Sequence, residues 1–164
     1  MKRFDTEAAH FVHLTGAIGQ DRRGGELETR ILVCVDRSER TQKIVDYASD
    51  LARKLQAKMT VLYMVTLPVG REPLLQIDPK PFLDSGNEFL NEIRVRMERS
   101  GIEVETHLDT TIGNPAHKIV NFAEEGFDMI VVGAMGESGV KNLLLGSVSA
   151  TVARSAKCPV LIVR

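Results

Sequence analysis

The chain is 164 residues long, with 21 basic and 22 acidic side chains and a formal charge of −1. At 43% hydrophobic and 26% charged residues it has the composition of one globular domain, which excludes a disordered chain, a collagen and a coiled-coil rod. So even a charge balance also argues against nucleic acid or any other partner held by bulk charge.

The first 28 residues lack sustained periodicity and hold Gly16, Gly19, Gly24, Gly25 and the Asp21-Arg22-Arg23 cluster. They are expected to form a flexible extension, with residues 29–164 as the domain. Lys2 and Arg3 are followed by Phe4-Asp5-Thr6-Glu7 rather than by an apolar core, so no secretory signal is read. His10-x-x-His13 lacks a third ligand and is not taken as a metal site.

From Arg30 the text becomes regular. Ile31-Leu32-Val33-Cys34-Val35 reads as a strand buried on both faces. Ser38 or Thr41 can cap a helix carrying Ile44, Ala48, Leu51, Ala52 and Leu55 at helical spacing. A second strand covers 59–65. The proline-rich stretch 66–81 is a loop, too long for a routine connection. A helix over 82–100 follows, stopped by Gly101, and the alternating residues 102–109 read as an edge strand. Pro115 opens a short helix, Met129–Val132 is a buried strand ending at Gly133, a last helix starts near Ser147, and 160–163 is the closing strand.

Strands alternating with helices imply an α/β fold: a doubly wound, five-stranded parallel sheet with helices on both faces. Ligands of such sheets bind outside the carboxyl ends of the strands, where the winding reverses. Chemistry is therefore expected just after strands. Asp36 follows the first. After the fourth comes Gly133-Ala134-Met135-Gly136, nine residues, then Gly146-Ser147-Val148-Ser149. A glycine-rich loop leading into a helix N-terminus supplies backbone N–H groups and a dipole suited to phosphate, with the Ser147 and Ser149 hydroxyls as further donors. The alternative is that the glycines only turn a loop and Ser147 only caps a helix. Neither a Walker A string nor the Rossmann G-x-G-x-x-G is present.

The spacing G-x-x-G, nine residues, G-[ST] resembles the ATP-binding motif of the universal stress protein family. The likeness runs over 29–164 and includes Asp36 with Ser38, the Gly113-Asn114-Pro115 turn, Asp128 ahead of its strand, and Cys158-Pro159 leading into 160–163. It implies an adenine nucleotide α-hydrolase-like fold and membership of the ATP-binding branch. By that resemblance Val35 (through its backbone) and Asp36 contact the adenosine. Met59 to Val61 meet the adenine through backbone groups, and Gly133, Gly136, Gly146, Ser147, Val148 and Ser149 hold ribose and phosphates. Met135 departs from the polar or basic residue frequent there, leaving its backbone for that role. The implied cofactor is ATP or AMP with Mg2+, and the implied assembly is a homodimer pairing the last strand with its copy.

Phosphoryl transfer needs a metal clamp, a positioned nucleophile and a charge stabiliser. Asp36 is one carboxylate and no base stands beside the loop in sequence, so no catalytic residue and no protein metal site are assigned. The leading expectation is a nucleotide-dependent regulatory or stress-response protein. The alternatives are a slow ATPase or nucleotide hydrolase using the same pocket, with weak autophosphorylation at most, and a partner-binding module with a vestigial pocket. Two cysteines, Cys34 and Cys158, without a C-x-x-C pair suit a reducing compartment, and no apolar run approaches about 18 residues. A cytoplasmic protein without a membrane partner is expected.

Overall fold

The computed structural model describes residues 9–12, 28–68, 78–136 and 145–164. Its elements in chain order are β1 (Ala9–Val12), β2 (Arg30–Val35), α1 (Thr41–Leu55), β3 (Lys58–Thr66), α2 (Lys80–Arg99), β4 (Glu105–Thr111), α3 (Ala116–Ala123), β5 (Met129–Gly133), α4 (Ser147–Ser155) and β6 (Val160–Val163). They form one sheet in the order β1-β6-β5-β2-β3-β4. The five strands from β2 to β6 are mutually parallel, as the alternation of strands and helices requires.

The apolar runs are continuous because both sheet faces are covered, and side chains alternate between the two cores. Ile31, Val33 and Val35 of β2 join Val61, Met129, Val131, Leu161 and Val163 under α1 and α2. Leu32 and Cys34 point the other way and join Leu62, Ile130, Val132, Val160 and Ile162 under α3 and α4. Ile31, Leu32, Val33, Val61, Ile130 and Val131 are completely buried. At roughly 1.5–3 kcal/mol for each large side chain removed from water, these two layers dominate the stability of the fold.

Boundaries shift by a few residues from the sequence reading. Helix α2 starts at Lys80, with Pro81 in its first turn, where a missing N–H costs nothing. Strand β4 starts at Glu105 rather than at residue 102, although Ile102 and Val104 are buried before it. Neither Ser38 nor Thr41 caps α1 through its side chain: Arg40 is the N-cap, and the Thr41 hydroxyl turns back to donate to the Asp36 carbonyl. Residues 69–77 of the proline-rich loop, and Lys141 with Leu143 and Leu144 of the glycine loop, lie outside the described residues.

The larger difference is at the amino end. Within the segment expected to be an unpacked extension, Ala9–Val12 form a sixth strand, antiparallel to β6, with Ala9 opposite Val163 and Val12 opposite Val160. Ala9-His10-Phe11-Val12 does not alternate strictly, so its periodicity does not mark it as a strand. Among the described residues, no helix is long and apolar enough to cross a membrane.

Candidate functional site

Strand β2 lies at the centre of the order. The chain winds from it to β3 and β4 on one side, and β5 and β6 occupy the other. The reversal opens a crevice at the carboxyl ends of β2 and β5, the place where open α/β sheets bind ligands. A cleft of about 1210 Å3 occupies it, floored by Cys34, Val35, Val132 and Gly133 at the strand ends. Its walls come from Asp36 and Arg37 after β2, Tyr63 to Thr66 of β3, Pro81, Phe82 and Ser85 of α2, the turn 113–115 before α3, and the two ends of the glycine loop.

Asp36 is half-buried at the end of β2. Its Oδ1 accepts the Ser38 N–H at 3.1 Å, which fixes the carboxylate against the loop leading to α1. Gly136 comes directly opposite. A Cβ on Gly136 would lie 2.7 Å from Asp36 Oδ2, so only glycine lets the loop after β5 come this close.

The other end of the loop is tied back to the first. Gly146 N–H donates to the Ala134 carbonyl at 2.7 Å, and the Ser149 hydroxyl donates to the same oxygen at 2.8 Å. Gly146 is the N-cap of α4, in extended conformation and with no side-chain cap. The first turn of α4 therefore presents the backbone N–H groups of Ser147, Val148 and Ser149, which helical geometry leaves without intrahelical partners. Positive helix-dipole character at this end adds to them.

Of the residues singled out in the sequence, the cleft gathers Val35, Asp36, Gly133, Met135, Gly136, Gly146, Ser147, Val148 and Ser149. For three of these the structure adds a contact that the sequence does not show. A Cβ on Gly133 would meet Ile44 Cδ1 at 2.7 Å, so this glycine also lets α1 pack close to the sheet. Ser149 is buried, and its one hydroxyl proton is already committed to Ala134. Met135 is half-buried against the α3–α4 core, which accounts for an apolar side chain at that position.

Met59 and Val61 are not brought to the cleft. Met59 pairs with Ile31 near the amino end of the sheet, whereas Val35, at the cleft, pairs with Tyr63. Four residues of strand, about 13 Å, separate the two levels. Both Met59 and Val61 belong to the core beneath α1 and α2. Met64, Val65 and Thr66, at the other end of the same strand, line the cleft in their place.

Arg37, adjacent to Asp36, was not singled out. Its guanidinium lies 5.1 Å from the centre of the Phe89 ring and 5.8 Å from that of Tyr63. It donates to the Tyr63 hydroxyl at 3.2 Å and to the Ser85 carbonyl and hydroxyl at 2.6 and 2.8 Å. It thereby ties the end of β2 to α2 along one wall of the cleft. The Gly113 turn, with φ of +80°, and Asn114, whose Oδ1 accepts the Ala116 N–H at 2.9 Å, set the start of α3 on the opposite wall. Sequence position after a strand is the one signal that pointed to Arg37; its stacking depends on Tyr63 and Phe89, which are distant in sequence.

Asp128 lies at the opposite end of the sheet from the cleft. Its carboxylate accepts the Arg30 N–H at 2.9 Å, and its own N–H donates to the Arg30 carbonyl at 2.9 Å, locking the starts of β2 and β5 together. His107 stacks on Phe122 with ring centres 4.5 Å apart, and His117 is exposed on α3; neither is among the described residues lining the cleft. Burial pushes up the thiol pKa of Cys34, which keeps it protonated beneath the cleft. Among the described residues, no group of three or more His, Cys, Asp or Glu side chains could hold a metal ion.

Comparison with known proteins bears on this geometry. The profile described as the Universal stress protein family matches residues 28–164. The universal stress protein YxiE of Bacillus subtilis is 36% identical over 152 residues, covering 82% of this chain and 98% of its own. The universal stress protein UspA from Lactobacillus plantarum superposes with a TM-score of 0.71 at 29% identity, covering 83% of this chain and 97% of that one. A universal stress protein from Archaeoglobus fulgidus, solved in complex with dAMP, gives a TM-score of 0.63 at 27% identity, with 83% and 98% coverage. The glycine loop facing Asp36 at the sheet's reversal point thus occurs in a chain that belongs to the universal stress protein family.

Proposed function

We propose that the cleft binds an adenine nucleotide, ATP or AMP, and that occupancy is the signal of a nucleotide-dependent regulatory protein acting in stress response. One observation carries this reading: Gly136 seats the loop after β5 against Asp36, while the first turn of α4 is tied to the same loop through the Ala134 carbonyl. A carboxylate suited to ribose hydroxyls and a row of backbone N–H groups suited to phosphate then share one cleft. The dAMP held by the A. fulgidus relative supports the same ligand class.

The adenosine would sit between Val35, Asp36 and the carboxyl end of β3, near Met64 to Thr66 rather than near Met59 and Val61. The phosphates would lie over Met135 and Gly136 and the N–H groups of Ser147, Val148 and Ser149. The domain outside residues 1–28 is neutral, with 17 basic and 17 acidic residues, so it would hold polyphosphate by backbone groups and a helix terminus. Mg2+, if it accompanies ATP, would come with the phosphates, neutralise their charge and take most of its ligands from phosphate oxygens and water, with Asp36 the carboxylate that the described residues bring to the cleft.

Asp36 is the one acidic residue, and no histidine is present, among the described residues lining the cleft. On this reading the cleft binds nucleotide without efficient turnover, since hydrolysis needs a positioned base or water-orienting group. Mass spectrometry of small molecules released from freshly purified, denatured protein tests the proposal. An adenine nucleotide is expected. Rapid phosphate release from added ATP that vanishes in Asp36→Ala would favour the hydrolase instead. No released nucleotide, together with no measurable affinity for added nucleotide, would favour the partner-binding module.

A further inference from the structure

On one side the parallel sheet ends in β6, whose residues Val160 to Val163 are all at most 8% exposed. Leu161 and Val163 belong to the core under α1 and α2, and Val160 and Ile162 to the core under α3 and α4. One backbone row of β6 pairs with β5. With both faces and one edge taken, the strand has only its outer row of N–H and C=O groups left to offer. An apolar strand with an open edge is a template for another chain, and natural sheets cover such edges. Here the cover is β1, over four residue pairs. A second copy of the chain would present the same β6 edge, and two identical edges pair antiparallel about a twofold axis. β1 and that second copy compete for one row of hydrogen-bonding groups.

We propose that residues 9–12 are an intramolecular cover for this edge, and that displacing them turns β6 into a self-pairing surface for a second copy of this chain. The homodimer expected from the sequence is then a state that β1 holds back. The register makes a cover from the same chain feasible. Val12 is level with Val160, Val160 with Ile130, and Ile130 with Leu32, so β1 ends at the end of the sheet where β2 begins. Three strand spacings, about 14 Å, separate β1 from β2. The roughly 17 residues between Val12 and Arg30 reach about 56 Å when extended, so the connection closes with ample slack. A strand tethered in this way acts at an effective concentration on the order of millimolar, which a second copy at micromolar concentration does not match. The inference holds whether or not the cleft takes a nucleotide.

Two full-length variants test it. In His10→Pro/Phe11→Pro, neighbouring prolines guarantee the loss of a ladder hydrogen bond, because alternate residues of an antiparallel strand direct their N–H groups to the partner. Sedimentation velocity at micromolar concentration is expected to find the unaltered chain monomeric and this variant dimeric. In Ala9→Cys/Val163→Cys, made in a Cys158→Ser background, oxidation is expected to link the pair within one chain, giving a non-reducing electrophoretic band at monomer mass in which a thiol-reactive probe, added to the denatured protein, labels Cys34 and neither introduced cysteine. A dimeric unaltered chain, a double-proline variant that stays monomeric, or a cysteine pair that links two chains would each overturn the proposal.

Discussion

Replacing Gly136 by alanine perturbs the cleft at one defined contact. The added Cβ would stand 2.7 Å from Asp36 Oδ2 and 3.9 Å from its Cγ. Gly136 is not in the left-handed region, so the backbone itself accepts alanine and the conflict is purely one of space. Relief needs a movement of several tenths of an ångström, by the carboxylate or by the loop. The carboxylate is held by the Ser38 N–H at 3.1 Å, and a hydrogen bond to a charged group contributes about 1.5–3 kcal/mol. Losing that much of the site's arrangement weakens nucleotide binding about 10- to 100-fold, at 1.4 kcal/mol per decade. Gly146→Ala is the matched control: its Cβ would find neighbours at 3.5 Å, ordinary contact, and affinity should stay within about threefold, the scale of a 0.5 kcal/mol surface change. The assay is titration with a fluorescent ATP analogue, with thermal unfolding recorded on each variant to establish that it is folded. Gly136→Ala binding within about threefold of the unaltered chain, or Gly146→Ala losing as much, would refute the geometric reasoning.

Further outcomes follow from other parts of the molecule. Ile130→Ala, at a completely buried position of β5, should cost about 2–5 kcal/mol of stability in chemical denaturation. Gly113→Ala meets no steric neighbour but must hold φ near +80°, so a loss of about 1 kcal/mol is expected from backbone strain alone. Arg37→Lys should fail to replace the arginine, because a compact ammonium cannot stay beside the Phe89 and Tyr63 rings while also making the two hydrogen bonds to Ser85; urea unfolding of Arg37→Lys and Arg37→Ala should match within a few tenths of a kcal/mol. Cys34 is protonated in the folded chain at pH values where an exposed thiol, with its ordinary pKa of 9.0, ionises. The unfolded state therefore binds fewer protons than the folded one above about pH 9, and stability should fall there by up to about 1.4 kcal/mol per pH unit from this group. Cys34→Ala should flatten that slope in denaturation curves taken between neutral and alkaline pH.

Much of the fold could be read from the chain because its strands are buried on both faces. Ile31–Val35 and Met129–Val132 are apolar at every position, and that pattern arises where helices cover both sides of a parallel sheet. The glycine loop was equally legible, since the proximity of Gly136 to Asp36 demands a residue without a side chain. What escaped depended on pairing between distant residues. Met59 and Val61 belong to the right strand, but position along a strand decides which end of the sheet a residue reaches, and the register with β2 sets that. Arg37 becomes a wall of the cleft only when Tyr63, Ser85 and Phe89 converge on it. Strand β1 acquires its structure from the edge of β6 some 150 residues away, not from any periodicity of its own.

Equilibrium titration of the purified full-length chain with unlabelled ATP and AMP, with and without Mg2+, most directly tests whether the cleft is an adenine-nucleotide site. Saturable binding at one nucleotide per chain is expected, weakened in Gly136→Ala and largely retained in Gly146→Ala. A folded chain that takes up neither nucleotide at millimolar concentration would contradict it.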